Sequence, residues 1–213
     1  MGTVEIEMEP PSASLTYFEL PGLAEPIRWL LAYGKIKYVE NPISFHIWGA
    51  YKGTTPAGQL PILKIHGKVL HQSMAISRYL GNILDLAGKT PLENWEIDAA
   101  VDTVTDLRLK IVACSMEQDP VNKVFLTDAL RNEFLPEFLG NLDNQARINN
   151  GHLALNKMTW ADIVFAATDY FLNDVYTKTF PGELLTGYSN LIKIVTRVKK
   201  IPAIKKWLET KST

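Results

Sequence analysis

Cysteine is almost absent from this sequence, in which Cys114 is the single cysteine among 213 residues. One thiol excludes an internal disulfide and any metal site built from several cysteines, and it fits a reducing compartment. The four histidines, at positions 46, 66, 71 and 152, lack the spacing of a zinc-binding motif. We therefore expect no metal cofactor.

Net charge and long apolar segments are also lacking. The 22 Lys and Arg residues nearly balance the 23 Asp and Glu residues, so we expect binding neither to nucleic acid nor to a membrane surface. No apolar run approaches the roughly 20 residues that span a bilayer. Residues 1–14 contain three glutamates and no basic residue, which fits neither a signal peptide nor a transit peptide. We expect a disordered acidic tail on a cytoplasmic protein.

The first third of the chain contains alternating strand and helix patterns. SLTYFEL predicts a strand, and a helix is expected over about 24–33, with Pro26 in its first turn. KYVEN predicts a second strand, followed by an irregular segment with room for one helical turn. LPILKI and KVLHQ predict a hairpin around His66-Gly67, and a helix with Ser73 as its N-cap is expected over 73–84.

This order of elements predicts a mixed sheet of four strands. A βαβ crossover makes the first two strands parallel, whereas the hairpin adds an antiparallel edge. The result is a thioredoxin-like α/β domain over residues 15–84, joined by a linker at 85–90 to an all-helical domain at 91–213. Helices are expected near 91–115, 121–147, 160–176, 189–199 and 203–210, the first with apolar positions at Trp95, Ala99, Val104 and Ile111.

Three short patterns mark the ends of strands and helices where a ligand could bind. Tyr17 ends the first strand beside a Pro-Gly turn and the start of a helix. Pro61 opens a strand, which indicates either a ligand-facing turn with a cis Leu60-Pro61 bond or an ordinary trans proline. Gln72 and Ser73 stand at a helix N-terminus, where free N–H groups and the helix dipole favour a carboxylate, although a plain N-cap explains Ser73 equally well.

Two patterns in the helical part have structural explanations. Asp98, Asp102 and Asp106 recur every four residues, a spacing that destabilises a helix by roughly 0.2 to 0.5 kcal/mol per pair unless a cation compensates. A solvated acidic face explains them as well, and a hard-metal site is a weaker alternative. Thr159 and Asp162 form a capping box, which predicts a role in folding.

Four segments, LTYFELPGLAEPIRWLLAYG, GQLPILKIHGKVLHQSMAISRYL, DTVTDLRLKI and GHLALNKMTWAD, together resemble sigma-class glutathione S-transferases of invertebrates. The resemblance covers roughly residues 14–210 and includes landmarks in both domains. It extends to the related glutathione-dependent prostaglandin D synthases and lens S-crystallins. It implies a homodimer, with glutathione as co-substrate.

The resemblance implies that Tyr17 donates a hydrogen bond to the glutathione sulfur. A free thiol of pKa about 8.5 is only ~3% thiolate at pH 7, and lowering that pKa by two units, about 2.7 kcal/mol, gives ~75%. One hydrogen bond to a charged group supplies roughly 1.5 to 3 kcal/mol. A phenol suits this role because it stays protonated at neutral pH.

The resemblance also implies the glutathione contacts. Trp48 and Lys52 are expected at the glycine carboxylate, Gln59 and the Leu60 backbone before Pro61 at the cysteinyl part, and Gln72 and Ser73 at the γ-glutamyl carboxylate. Asp106 is expected to reach the γ-glutamyl ammonium of the glutathione bound by the partner subunit.

The electrophile pocket is expected to contain Phe18, Leu23, Val112, Met116 and Val164. Many sigma-class members have arginine at the position of Leu23, so here the pocket is expected to be more apolar. Helix packing explains Val112 and Met116 equally well.

We expect glutathione conjugation to apolar electrophiles such as lipid-derived unsaturated aldehydes. The alternatives are a glutathione-dependent peroxidase, a prostaglandin isomerase, which Thr105 and Ala113 disfavour, and a non-catalytic crystallin-like protein or carrier of apolar ligands.

Overall fold

The computed structural model describes residues 13–178 and 180–210. Its first part combines a four-stranded sheet with helices, and the described residues of its second part form helices and loops. The acidic tail expected over residues 1–14 lies outside the described residues, except for Ala13 and Ser14, which open the first strand. The domain boundaries stay predictions.

The elements of the first part follow the predicted order. Their bounds are β1 Ala13–Phe18, α1 Glu25–Tyr33, β2 Tyr38–Ile43, α2 Phe45–Tyr51, β3 Ile62–Ile65, β4 Lys68–His71 and α3 Ser73–Ile83. The strand order is β2-β1-β3-β4, in which β1 is parallel to β2 and antiparallel to β3, and β3 is antiparallel to β4. The predicted thioredoxin-like mixed sheet is therefore confirmed.

Both turns that shape β3 have the expected geometry. The hairpin turns at His66 and Gly67, whose φ angles of 49° and 69° suit the twist of paired strands. The Leu60–Pro61 peptide bond is cis, in agreement with the first of the two alternatives. Pairing between β1 and β3 begins only at Ile62, so the Leu60 backbone lies outside the ladder.

The second part is helical, as predicted. Its elements are α4 Pro91–Met116, α5 Pro120–Ala129, a π-helical turn Leu130–Phe134, α6 Leu135–Ile148, α7 Trp160–Thr177, α8 Ser189–Lys199 and α9 Pro202–Glu209. The single helix expected near 121–147 is therefore wrong in one respect, because the π-turn divides it. Pro136 explains this break: it has no N–H, and in an unbroken α-helix its ring would clash with the carbonyl four residues earlier.

The buried side of α4 differs from the sequence expectation at one position. Val104 and Ile111 are buried, but Trp95 is 63% exposed. Trp95 precedes the buried Ile97 by two residues, and residues two apart lie on nearly opposite sides of a helix. The apolar character of Trp95 therefore did not indicate that its side chain is buried.

Helix α7 joins the two parts of the molecule. Its capping box is present: the Thr159 N–H donates to Asp162 Oδ2 at 2.8 Å. The other oxygen of the buried Asp162 accepts from the Leu153 N–H at 3.1 Å. Trp160, the first residue of α7, is fully buried against Gly81 of α3, where an added Cβ would lie 2.6 Å from the indole. The Thr159–Asp162 capping box predicted from the sequence is confirmed, and its role in folding stays a prediction.

Among the described residues, the helices are too short or too polar to traverse a lipid bilayer.

Asp169 of α7 is an acidic residue whose burial has an energetic cost. Asp169 is 9% exposed, and its carboxylate lies 4.0 Å from the Lys199 ammonium. Burial raises the pKa of Asp169 from 3.8 to about 6, although Lys199 lowers it and Glu183 raises it further. The folded protein therefore binds a proton more tightly than the unfolded chain does.

Asp169→Asn is expected to flatten the pH dependence of stability. A carboxyl whose folded pKa is raised contributes stability at low pH that is lost as the pH rises towards the folded value of about 6, here about 3 kcal/mol. The free energy of unfolding, measured by urea denaturation, should fall between pH 4 and pH 6.5 in the wild type and fall less in the variant. Identical slopes in the two proteins would contradict this origin.

Candidate functional site

A cavity of about 540 Å³ opens between α2, the start of α3 and α4, and is called the cleft below. It brings together residues that are far apart in the chain. The predicted site residues that line it are Leu23, Trp48, Lys52, Gln59, Leu60, Gln72 and Ser73. Pro61 is buried next to Leu60. Their individual roles stay predictions, but the residues that were grouped by pattern are neighbours in space.

The start of α3 differs from the expected cap. Ser73 is the first helical residue, and the N-cap position belongs to Gln72, so the prediction of Ser73 as N-cap is wrong. Gln72 has a φ of 69°, a strained conformation for a residue with a side chain. No described side chain caps this helix end. Its first N–H groups therefore lack a side-chain acceptor, and since Gln72, Ser73 and Met74 line the cleft, this helix end suits an anion.

The surroundings of the Tyr17 hydroxyl determine its hydrogen bonding and its pKa. The side chain is buried, and its oxygen accepts a hydrogen bond from the Leu23 backbone N–H at 3.0 Å. Burial raises the pKa of the phenol above its ordinary value, while the Leu23 bond and the charges of Arg28 and Arg108 lower it by less. Because a protonated phenol can accept and donate at once, Tyr17 keeps a proton for a second partner.

Gly22 allows the turn after β1 to pass close to this phenol. Its φ is 45°, and an added Cβ would lie 2.6 Å from Tyr17 Oη and 2.6 Å from the Leu20 side chain. A side chain here would displace the hydroxyl or the turn. The sequence indicated a Pro-Gly turn, but it did not reveal this contact.

A buried ion cluster supports the same turn. Arg28 of α1 pairs with Glu25 at 3.0 Å and with Glu40 at 2.6 Å, and it donates to the carbonyl of Leu20 at 3.0 Å and of Pro21 at 3.2 Å. Its guanidinium is therefore neutralised and satisfied by carboxylates and carbonyls. Sequence reasoning did not identify this cluster: the i, i+3 spacing of Glu25 and Arg28 was the available signal, but Glu40 lies on a different element, β2.

The residues predicted for the electrophile pocket lie in different environments. Phe18 stacks on Phe45 with ring centroids 4.4 Å apart and contacts Trp48 edge-on, while Leu23 lines the cleft. The other three were Val112, which is half-buried, Met116, which is 68% exposed, and Val164, which is 1% exposed. None of these three lines the cleft. The apolar wall of the pocket stays a prediction.

Helix α4 presents two different surfaces. Asp98 pairs with Arg78 at 2.8 Å, and Asp102 and Asp106 are exposed. Asp106 does not line the cleft of its own subunit. Among the described residues, no cluster of three or more acidic, histidine or cysteine side chains is placed to bind a metal ion.

Two residues of α4, Thr105 and Arg108, do line the cleft. Neither is among the predicted site residues, and the sequence places Arg108 next to the acidic face of the helix. Their spacing of three, which places both on one side of a helix, was the available signal.

Comparison with known proteins gives a consistent result for both parts. The family model of the glutathione S-transferase N-terminal domain matches residues 13–82, and that of the glutathione S-transferase C-terminal domain matches residues 105–211.

Individual relatives match most of the chain. A glutathione S-transferase of Anopheles gambiae is 44% identical over 88% of this chain and 91% of its own length. Glutathione S-transferase S1 of Drosophila melanogaster is 39% identical over 93% of this chain and 78% of its own length. Among solved structures, prostaglandin synthase D of Nilaparvata lugens superposes with a TM-score of 0.86 at 36% identity, covering 93% of this chain and 98% of that one.

Gly22→Ala is expected to lower the free energy of unfolding by about 2 to 4 kcal/mol, because it combines a positive φ with a steric overlap at Tyr17. Gly67→Ala is the matched control: its φ is also positive, at 69°, but no atom lies within 4 Å of the added Cβ. The control should lose about 1 to 2 kcal/mol. Chemical denaturation measures both, and equal losses would show that the approach to Tyr17 has no energetic weight.

Proposed function

The chain belongs to the glutathione S-transferase family, and on this premise we propose that it is a sigma-class enzyme joining glutathione to apolar electrophiles. Its co-substrate is glutathione, as in the family. In the proposed reaction the glutathione thiol releases its proton to solvent, and the thiolate sulfur forms a bond to an electrophilic carbon. An unsaturated aldehyde accepts the electron pair into its conjugated system and then takes up a proton from water.

The Tyr17 hydroxyl is the observation that carries the proposal. Its oxygen already accepts the Leu23 N–H, and burial raises its pKa, so its proton is available for a thiolate. A single charge-assisted bond is worth roughly 1.5 to 3 kcal/mol, which covers most of the energy needed to ionise a thiol at neutral pH. This arrangement supports a thiolate-stabilising donor.

The composition of the cleft supports a tripeptide with charged ends. The uncapped N-terminus of α3, with Gln72 and Ser73, suits the γ-glutamyl carboxylate. Lys52 and Trp48 lie elsewhere in the cleft and suit the glycine carboxylate, while Gln59, the Leu60 backbone and Pro61 suit the cysteinyl part between them.

The apolar side chains of Leu23, Phe18 and Phe45 support an apolar electrophile. Leu23 brings no charge to the cleft, and Phe18 and Phe45 form a stacked aromatic pair beside it. We propose lipid-derived unsaturated aldehydes as the substrate class, with Val112, Met116 and Val164 further along the pocket. Lipid hydroperoxides are an alternative substrate of the same thiolate.

A second candidate function is prostaglandin isomerisation. It is favoured by the similarity to the prostaglandin synthase D of Nilaparvata lugens. Thr105 and Ala113 disfavour it, since they differ from the acid and the tryptophan that the vertebrate synthases of this class carry there. A non-catalytic carrier or crystallin-like role would leave the buried Tyr17 hydroxyl without a chemical purpose.

We also propose a cytoplasmic homodimer. The start of α4 exposes Leu92 by 68% and Trp95 by 63%, and exposed apolar side chains on one helix turn support a protein interface. Asp106, exposed on the same helix, would then reach the partner's glutathione.

Retention on a glutathione-affinity column, combined with an assay for conjugation of a generic aromatic electrophile, tests whether the protein is an enzyme or a non-catalytic carrier. Retention without turnover would favour the carrier. A panel of unsaturated aldehydes, lipid hydroperoxides and prostaglandin H then separates the substrate classes.

Tyr17→Phe is expected to lower turnover at pH 7 by about one to two orders of magnitude, because it removes the donor and preserves the ring. Glutathione affinity should change little, and raising the pH towards 9 should restore part of the rate. Tyr33→Phe, which removes the phenol oxygen of a half-buried tyrosine at the end of α1, is the control. Full activity of Tyr17→Phe at neutral pH would overturn the proposed role.

Asp106→Ala is expected to weaken glutathione binding by roughly 1 to 3 kcal/mol, because one charge-assisted contact to the partner's ligand is lost. Asp102→Ala removes another exposed acid one turn earlier and should leave binding nearly unchanged. Calorimetry gives the affinities, and gel filtration confirms the oligomeric state. Equal affinities of the two variants would refute the contact across subunits.

A further inference from the structure

Arg108 is a cation in the wall of the cleft that has no described partner. It lies on α4, one turn after Thr105, and both residues line the cleft together with Leu23. Its Nε atom is buried and makes no hydrogen bond to any described residue. The ion pairs among the described residues do not include it, so no residue in the described part of the chain neutralises its charge.

The acids of α4 do not neutralise this charge. Asp98 is paired with Arg78, while Asp102 and Asp106 are exposed. Residues two apart lie on nearly opposite sides of a helix, so Asp106 projects away from the side that carries Arg108. An unpaired and partly buried guanidinium is costly, and it indicates that an anion completes the site when ligand is bound.

Arg108 and Tyr17 interact electrostatically. It lowers the pKa of the Tyr17 phenol, while burial lowers the pKa of Arg108 itself. Arg28 also acts on Tyr17, but two carboxylates and two carbonyls already compensate it. Of these two cations, Arg108 is therefore the one whose field is free to act on an anion beside the Tyr17 hydroxyl.

Resting on the function proposed above, we propose that Arg108 stabilises the thiolate of bound glutathione, supplying from α4 the positive charge that Leu23 does not provide. The residue transfers no proton, because a guanidinium stays charged throughout. Its contribution is electrostatic: it favours the ionised sulfur next to the hydrogen bond donated by Tyr17. The second part of the chain then participates in sulfur activation as well as in electrophile binding.

Arg108→Met is expected to raise the pKa of enzyme-bound glutathione by roughly one unit, measured by ultraviolet titration of the thiolate without any electrophile. Arg108→Lys, which keeps a charge, should raise it by less than half as much. Turnover at pH 6.5 should fall up to about tenfold in Arg108→Met and recover largely at pH 9, following the thiolate fraction. Lys110→Met is the matched control, since it removes a cation of α4 that does not line the cleft.

Leu23→Arg provides a second test, because position 23 also lines the cleft. In the Arg108→Met protein it should return the thiol pKa towards the wild-type value, and in the wild type it should lower that pKa by less. Unchanged thiol pKa in Arg108→Met, with a raised KM for the electrophile, would show that Arg108 binds the electrophile and would overturn the proposal.

Two further results would distinguish a structural role of Arg108 from the proposed electrostatic role. Dissociation of the oligomer by Arg108→Met, seen by gel filtration while the thiol pKa is unchanged, would assign Arg108 to the interface and overturn the proposal. If Arg108→Met does not fold, Arg108→Gln replaces it, and failure of both would make Arg108 a structural cation. A wild-type protein that binds glutathione as thiolate but conjugates no electrophile would refute the proposed function alone, since the titration needs no electrophile.

Discussion

The hydrogen bond from the Leu23 backbone N–H to the Tyr17 hydroxyl is the contact on which the proposed chemistry depends. It occupies the phenol oxygen as an acceptor and so leaves the proton for another partner. The bond requires the turn to approach the ring closely, which Gly22 permits. It also requires the turn to stay in place, and the Arg28 side chain holds the carbonyls of Leu20 and Pro21.

The two arginines near Tyr17 differ in how far neighbouring groups neutralise their charge. Arg28 is enclosed by Glu25 and Glu40, so it acts mainly as a brace for the turn. Arg108 has no described carboxylate partner and borders the cleft. Buried charges are stable when they are paired. The same residue type therefore serves structure in one position and, by our proposal, chemistry in the other.

The candidate site is built by both parts of the chain. The thioredoxin-like part contributes Leu23, Trp48 and the uncapped start of α3 to the lining of the cleft, whereas α4 contributes Thr105 and Arg108. Their relative placement depends on α7, whose Trp160 lies against Gly81 of α3.

Much of the cleft was predictable from sequence, because short motifs mark strand ends and helix starts. Tyr17, Pro61 and Gln72 all stand at such boundaries, and the cleft gathers Gln72 with the residues next to Pro61. Arg108 was not recognised because it lies within a long helix. There a charged residue is usually solvated, and only its three-residue spacing from Thr105 indicated a shared side.

By itself the sequence determined the order of the elements, the mixed sheet and the capping box of α7, since hydrophobic period, turn residues and caps act over a few neighbouring residues. The tertiary structure alone decided that Trp95 is exposed, that Gln72 adopts a positive φ at the start of α3, and that Arg108 faces the cleft. The exposure of Trp95 and the position of Arg108 depend on how α4 is rotated against the sheet-containing part. That rotation is set by contacts between residues far apart in the chain, which no local pattern encodes.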